Sequence, residues 1–219
     1  MKKGESRMAN EAVKNAPLRA GAVAGILLAA GTSSRMGSNK LLFPLEGESL
    51  LRRMARRALD GGVDPLVVVL GHDAEKTGRE LEGLPCQTVV NPRYEQGITS
   101  SLQAGLTALP AGTPASVVML SDMPFVTSEM IADLIARYRT SDAPLVVSDY
   151  EGVHAPPMLY DRRLFGELQA MAEGSGCGRQ VVKRHRGEAE VLSWPAAALA
   201  DVDVPEDYER IRAEGPHAR

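Results

Sequence analysis

The chain changes from polar to apolar at Val23, and the run VAGILLAA (Val23 to Ala30) has no polar interruption. Such a run predicts a strand buried on both faces. A segment rich in Gly and Ser follows it directly. Ser49 then stands as N-cap to LLRRMARRALDGG, in which Leu50, Leu51, Met54, Ala55 and Ala58 share one helical face and Gly61 and Gly62 end the helix. Next comes the strand PLVVVLG, and the alternation repeats. It gives a polar helix from about Asp73, strand QTVVN, helix TSSLQAGLTAL, strand SVVMLSD, helix SEMIADLIARYR and strand APLVVSD. This rhythm predicts an α/β fold: one domain, a doubly wound, mostly parallel, Rossmann-like sheet with helices on both faces.

The rhythm changes at Tyr150. EGVHAPPMLY reads as turn-rich, LFGELQAM as helical, GSGCGRQ as a loop and EAEVLSW as a late strand; Pro205 suits the first turn of a closing helix, followed by Glu206 and Asp207. The expected organisation is a disordered polar tail over residues 1–20 and one domain over 21–213. Within it, residues 21–149 carry the repeating pattern and 150–200 form a substrate-facing extension.

Aromatic residues are only 4% of the chain, so the core must be built from Ala, Val, Leu and Ile. Lys and Arg number 25 against 28 Asp and Glu, a net charge of -3, which leaves no basic field to hold a nucleic-acid backbone. Nucleic acid is not an expected partner. Cys86 and Cys177 stand apart, with no zinc or disulfide spacing, as suits a reducing cytoplasm. No apolar stretch reaches the ~20 residues of a membrane span, so no membrane association is expected.

Chemistry concentrates in LLAAGTSSRMGSNKLL, residues 27 to 42, where Gly31 and Gly37 let backbone N–H groups approach an anion and Arg35 and Lys40 supply charge. The spacing is neither a Walker loop nor G-x-G-x-x-G, and an ordinary Gly-rich turn with solvated charges has the same composition. Ligands of such sheets bind beyond the carboxyl ends of the strands, so Gly31, Gly71, Asn91 and Asp122 are expected along one edge. In VVMLSDMPFVT, Asp122 offers a hard oxygen for Mg²⁺. The alternative, a cap or turn former, is weakened because Thr127 or Ser128 already caps the next helix. Asp201 and Asp203 in DVDVPEDY are a second source of oxygens. In VVNPRYEQGITSSLQAGL, the helix start near Thr99 to Ser101 is placed to receive an anion, or merely to cap the helix.

Residues 28 to 40 match every fixed position of Leu-Ala-Ala-Gly-x-Ser-x-Arg-Met-Gly-x-x-Lys. On this motif the chain resembles the molybdenum cofactor cytidylyltransferase group of the MobA-like nucleotidyltransferases. The resemblance implies that residues 21–149 bind nucleotide, through Leu28, Ala29, Ala30, Gly31, Ser33, Arg35, Lys40, Gly71, Asn91 and Ser101. It makes Arg35, Lys40 and Asp122 catalytic by charge stabilisation, and assigns Mg²⁺ or Mn²⁺ to Asp122 and Asp203. Acceptor contacts fall to Gly97, Ser100 and Arg179. The implied reaction moves CMP from CTP onto a phosphorylated acceptor, molybdenum cofactor, with release of pyrophosphate. A xanthine dehydrogenase-type enzyme is the implied recipient of the product. Ala30 stands where the similar guanylyltransferases have Gly, and its methyl is expected to narrow the base pocket in favour of a pyrimidine.

The chain departs from the family at Ser121 (for Gly), at Ala155-Pro156-Pro157 (for Gly-His-Pro or Gly-Asn-Pro) and at Ser175 (for Asp). The last two departures lie in segments expected to face the acceptor. Transfer to a sugar or polyol phosphate and a non-catalytic cofactor carrier remain alternatives. A nucleotide-sugar glycosyltransferase would call for an Asp-x-Asp, which Asp122 does not have around it.

Overall fold

The computed structural model describes residues 19–32, 39–202 and 205–214. Residues 1–18 of the expected tail lie outside them; Arg19, at its end, donates to Asp161 at 2.6 Å and lies over the Tyr138 ring.

In chain order the elements are β1 (Ala24–Ala29), a 3-10 turn (Lys40–Leu42), the hairpin β2 (Pro44–Leu45) and β3 (Glu48–Ser49), and α1 (Leu50–Asp60). There follow β4 (Leu66–Leu70), α2 (Ala74–Arg79), β5 (Cys86–Val90), a 3-10 turn (Tyr94–Gln96), α3 (Ile98–Ala108), β6 (Ala115–Leu120) and α4 (Ser128–Thr140). The chain continues through β7 (Leu145–Tyr150), β8 (Val153–His154), β9 (Met158–Asp161), α5 (Phe165–Gln169), α6 (Arg179–Arg184), β10 (Glu190–Trp194) and α7 (Pro205–Glu214).

The main sheet runs β10-β7-β9-β6-β1-β4-β5, with β8 paired to β7. β1 pairs in parallel with both β4 and β6, and β4 with β5, as the alternating pattern predicts. The turn-rich segment after Tyr150 differs from its sequence reading. It contains β9, which lies antiparallel between β6 and β7 inside the sheet, every residue buried. Four residues following two prolines are too short to show alternation, so this strand carries no periodic signal of its own.

Two apolar layers enclose the sheet. Leu27 and Ala29 face one, with Leu51, Met54, Ile131 and Leu134 from α1 and α4; Ile26 and Leu28 face the other, with Leu102 and Leu106 from α3. Fully buried side chains such as Leu27 and Leu51 each contribute roughly 1.5–3 kcal/mol of burial. Helix α1 starts where expected, because the Ser49 hydroxyl accepts from the Arg52 N–H, and Thr127 caps α4 likewise through the Met130 N–H. A smaller cluster of Leu45, Leu50, Val202 and Ile211 seats α7 beside the β2–β3 hairpin, with Tyr208 edge-on to Phe43. This brings the carboxyl-terminal segment to the same sheet edge as Lys40.

Candidate active site

Strand register sets the site. Ala29 is level with Leu70, Leu70 with Val90, and Leu28 with Leu120, so β1, β4, β5 and β6 all end on one edge. Above that edge lies a cleft of about 320 Å³, lined by Leu28, Ala30, Gly31, Lys40, Gly97, Ser101 and Asp122 among the residues singled out from sequence.

Lys40 and Asp122 meet here. The ammonium of Lys40, leaving the 3-10 turn that Asn39 caps through Leu41 N–H, stands 2.7 Å from Asp122 Oδ2. Asp122 is held from two sides. Its carbonyl accepts from the Val202 N–H at 3.1 Å, and the Arg57 guanidinium donates to the carbonyls of Pro124 and, at 2.7 Å, Val126. Burial lowers the Arg57 pKa to about 10, which leaves it a cation at neutral pH. The Val202 bond also brings the backbone of Asp201 and Val202 alongside Asp122; Asp203 itself lies outside the described residues, as do Ser33 and Arg35.

Ser121, where the resembling family has Gly, is buried, and its hydroxyl donates to the Leu28 carbonyl at 2.8 Å. The extra oxygen is therefore satisfied, and it ties the ends of β1 and β6 together.

Several predicted residues support the cleft from beneath rather than lining it. Ala29 points into the opposite apolar layer. Asn91 is buried, and its side-chain amide donates to the hydroxyls of Ser100 and Ser101 at 2.9 and 3.0 Å while its oxygen accepts from the Arg93 N–H. Ser100 Oγ lies 2.8 Å from the carbonyls of Arg93 and Gly97. Together these bonds fix the loop that enters α3. Gly97 has φ 97° and ψ -178°, a region open in practice only to glycine. At Gly71 an added Cβ would lie 2.7 Å from both the Ala30 carbonyl and the Tyr94 Cβ. That close approach lets Tyr94 and Ala30 shape one wall.

Tyr94, Glu95, Thr32, Ile98 and Leu120 also line the cleft and were not singled out from sequence. Tyr94 had a signal: it is an aromatic residue in the irregular stretch between Asn91 and Gly97.

Arg179 is elsewhere. It lines a second, larger cleft of about 640 Å³ with Asp149, His154, Lys183 and Arg186, over an apolar floor that includes Met158 and Val182. The two clefts share Leu120. Thr99 joins their rims, its hydroxyl donating to the Gly176 carbonyl at 3.1 Å. Cys177 also lines the second cleft, but burial pushes its thiol up to about 12, so it is not a nucleophile at neutral pH. His154 lies 3.4 Å from Asp149 across the β7–β8 hairpin.

Known proteins resemble this chain in sequence and fold. The purine catabolism protein PucB of Bacillus subtilis is 29% identical over 199 residues, covering 86% of this chain and 95% of that protein. A probable molybdenum cofactor guanylyltransferase of Opitutus terrae is 33% identical, covering 88% and 96%. The crystal structure of a Mycobacterium tuberculosis Rv0371c homologue from Mycobacterium sp. strain JC1 superposes with a TM-score of 0.74 at 32% identity, over 88% of this chain and 96% of that one. The profile of the MobA-like NTP transferase domain matches residues 25–190, so the chain belongs to the MobA-like NTP transferase family and is a nucleotidyltransferase.

Proposed function

We propose that this nucleotidyltransferase transfers CMP from CTP to a phosphorylated acceptor, with molybdenum cofactor as that acceptor, to give the cytosine dinucleotide cofactor and pyrophosphate. The observation that carries the reading is the pairing of Lys40 with Asp122 at the carboxyl ends of β1 and β6, within the cleft that begins at Gly31. A cation and a carboxylate at one strand edge are the two charges needed to hold a triphosphate and a divalent cation.

The acceptor's phosphate oxygen attacks the α-phosphorus in line. The new P–O bond forms as the bond to the β-phosphate oxygen breaks, and the electron pair leaves on pyrophosphate. The attacking phosphate is already ionised at neutral pH, so no side-chain base is called for. Lys40, with Arg35 assigned from the loop motif, neutralises charge on the transferring and departing phosphates. Ser101, at the start of α3, lends the nucleotide a hydroxyl and a helix terminus, while Gly97 and Ser100 hold that terminus toward the acceptor. Arg179 offers the acceptor phosphate a forked donor from the second cleft.

Asp122 is a hard oxygen donor on the cleft wall, with the Asp201 segment bonded to its backbone, a donor set that fits Mg²⁺ or Mn²⁺. Asp122 and Asp203 would hold the ion, which supplies charge neutralisation across the phosphates. Ala30, whose methyl turns toward Gly71 on the cleft wall, is the basis for choosing a pyrimidine.

The two relatives, a purine catabolism protein and a probable molybdenum cofactor guanylyltransferase, make the base and the acceptor the points to test. Pyrophosphate release is measured with CTP, GTP, ATP and UTP, each with Mg²⁺ and molybdenum cofactor. Release confined to CTP is expected. A preference for GTP would overturn the Ala30 argument, and release only with a sugar or polyol phosphate would replace the acceptor.

A further inference from the structure

The pairing of Lys40 with Asp122 has a cost for any metal ion. The two side chains are only 12% and 22% exposed, so their attraction at 2.7 Å is weakly screened by water. Both partners are presented by fixed backbone. Lys40 opens a capped 3-10 turn, and Asp122 lies between the Val202 N–H and the loop that Arg57 pins. The contact is therefore part of the fold's architecture rather than a chance meeting of two long side chains.

A divalent cation of the size of Mg²⁺ binds a carboxylate oxygen at about 2.0–2.1 Å. An ammonium already at hydrogen-bond distance from that carboxylate meets the incoming ion with like charge in a poorly hydrated place. We propose that Lys40 and the divalent cation are competing partners of Asp122, and that polyphosphate is what draws Lys40 away. On this account the free ion binds weakly by itself, and metal and polyphosphate bind with positive coupling. The coupling is reciprocal by thermodynamic necessity. The inference rests on reading Asp122 as the metal ligand, but it depends on neither the base nor the acceptor.

The test is direct binding without turnover. Mn²⁺ is titrated into nucleotide-free protein and free ion is followed by electron paramagnetic resonance. Lys40→Met should tighten Mn²⁺ binding by about tenfold or more, the scale of ordinary coupling between sites. Lys40→Arg keeps a cation beside Asp122 and should stay as weak as wild type. Lys40→Gln serves in place of Lys40→Met if circular dichroism shows the latter unfolded. In the converse arm, tripolyphosphate is titrated in excess EDTA, and Asp122→Asn should bind it about tenfold more tightly than wild type because the Asp122 carboxylate no longer competes with phosphate for the Lys40 ammonium. Unchanged Mn²⁺ affinity in Lys40→Met and Lys40→Gln would sink the competition, as would no gain for tripolyphosphate in Asp122→Asn. Adding Asp122→Asn to Lys40→Met separates the two readings. If tight Mn²⁺ binding survives in that double variant, Asp122 is not the ligand, and the site assignment fails with it.

Discussion

The two clefts that share Leu120 are built in different ways. The smaller gathers at strand ends: Leu28, Ala30 and Gly31 at and just beyond the end of β1, Ser121 and Asp122 after β6, and the entry to α3. The larger draws its lining from the β7–β8 hairpin, the segment before β9 and one face of α6. A phosphate chain is the same in every nucleotide and can be held by backbone and two charges. An acceptor varies, and is matched by side chains that can change without moving a strand. The comparison predicts that damage to the first cleft stops the chemistry, whereas damage to the second changes only what is accepted.

The largest effect should come from the pair at the first cleft. Lys40→Ala or Asp122→Ala is expected to lower kcat/KM by about 10²- to 10³-fold, with circular dichroism unchanged, because both side chains stand at the cleft rather than in either apolar layer. Activity within a few-fold of wild type in either variant would remove these residues from the chemistry. Next is Gly71→Ala. A methyl placed 2.7 Å from the Ala30 carbonyl and Tyr94 Cβ must push the cleft wall, at about 1–3 kcal/mol of stability, and raise the KM for nucleotide while leaving that for acceptor alone. An equal rise in both would mean that the wall is common to the two substrates.

The same contrast explains what could be read from the sequence. The parallel strands were legible because burial on both faces leaves long apolar runs such as VAGILLAA. Lys40 and Asp122 were legible because each follows such a run at a motif with fixed spacing. Strand β9 was not, since Met158–Asp161 is short, follows two prolines and takes its place only through pairing with β6 and β7. The support role of Asn91 was equally hidden. It is made by hydrogen bonds to Ser100 and Ser101, and a polar residue at a strand end reads the same whether it faces a ligand or a helix. Arg179 was singled out by its motif, but its separation from Gly97 into another cleft depends on how α6 packs, which no local pattern encodes.

Arg179→Ala tests the second cleft. Losing one charge-assisted donor there should raise the acceptor KM about 10- to 100-fold, in line with a loss of roughly 1.5–3 kcal/mol, and leave the nucleotide KM within twofold or so. Lys183 and Arg186 line the same cleft, and the remaining cations explain why binding should weaken rather than vanish. Steady-state kinetics with each substrate varied in turn gives the answer. A fall in kcat with both KM values unchanged would move Arg179 from binding to chemistry.

The smallest effect concerns how α6 is held. His185, just beyond α6, has Nε2 at 2.9 Å from Glu167 on α5 and Nδ1 at 3.2 Å from Glu188, while Arg184 also pairs with Glu167. The bond to the Glu167 carboxylate raises the His185 pKa above its ordinary value, and the same bond holds Glu167 below the usual range. Because the folded His185 pKa is the higher one, its contribution is complete below about pH 6.5 and fades as pH rises through the folded value. The Glu167 contribution runs the other way, present above the ordinary carboxylate range and lost as pH falls. Between these limits the contact is at full strength. The glutamates are exposed enough for solvent to screen much of it, so the expected loss in Tm from pH 6 to pH 8 is only about 1–2 °C. His185→Gln should remove that slope while leaving the Arg184 pair in place. If the slope is the same in His185→Gln as in wild type, another group sets the pH dependence and the α5–α6 contact does not hold the second cleft in shape by charge.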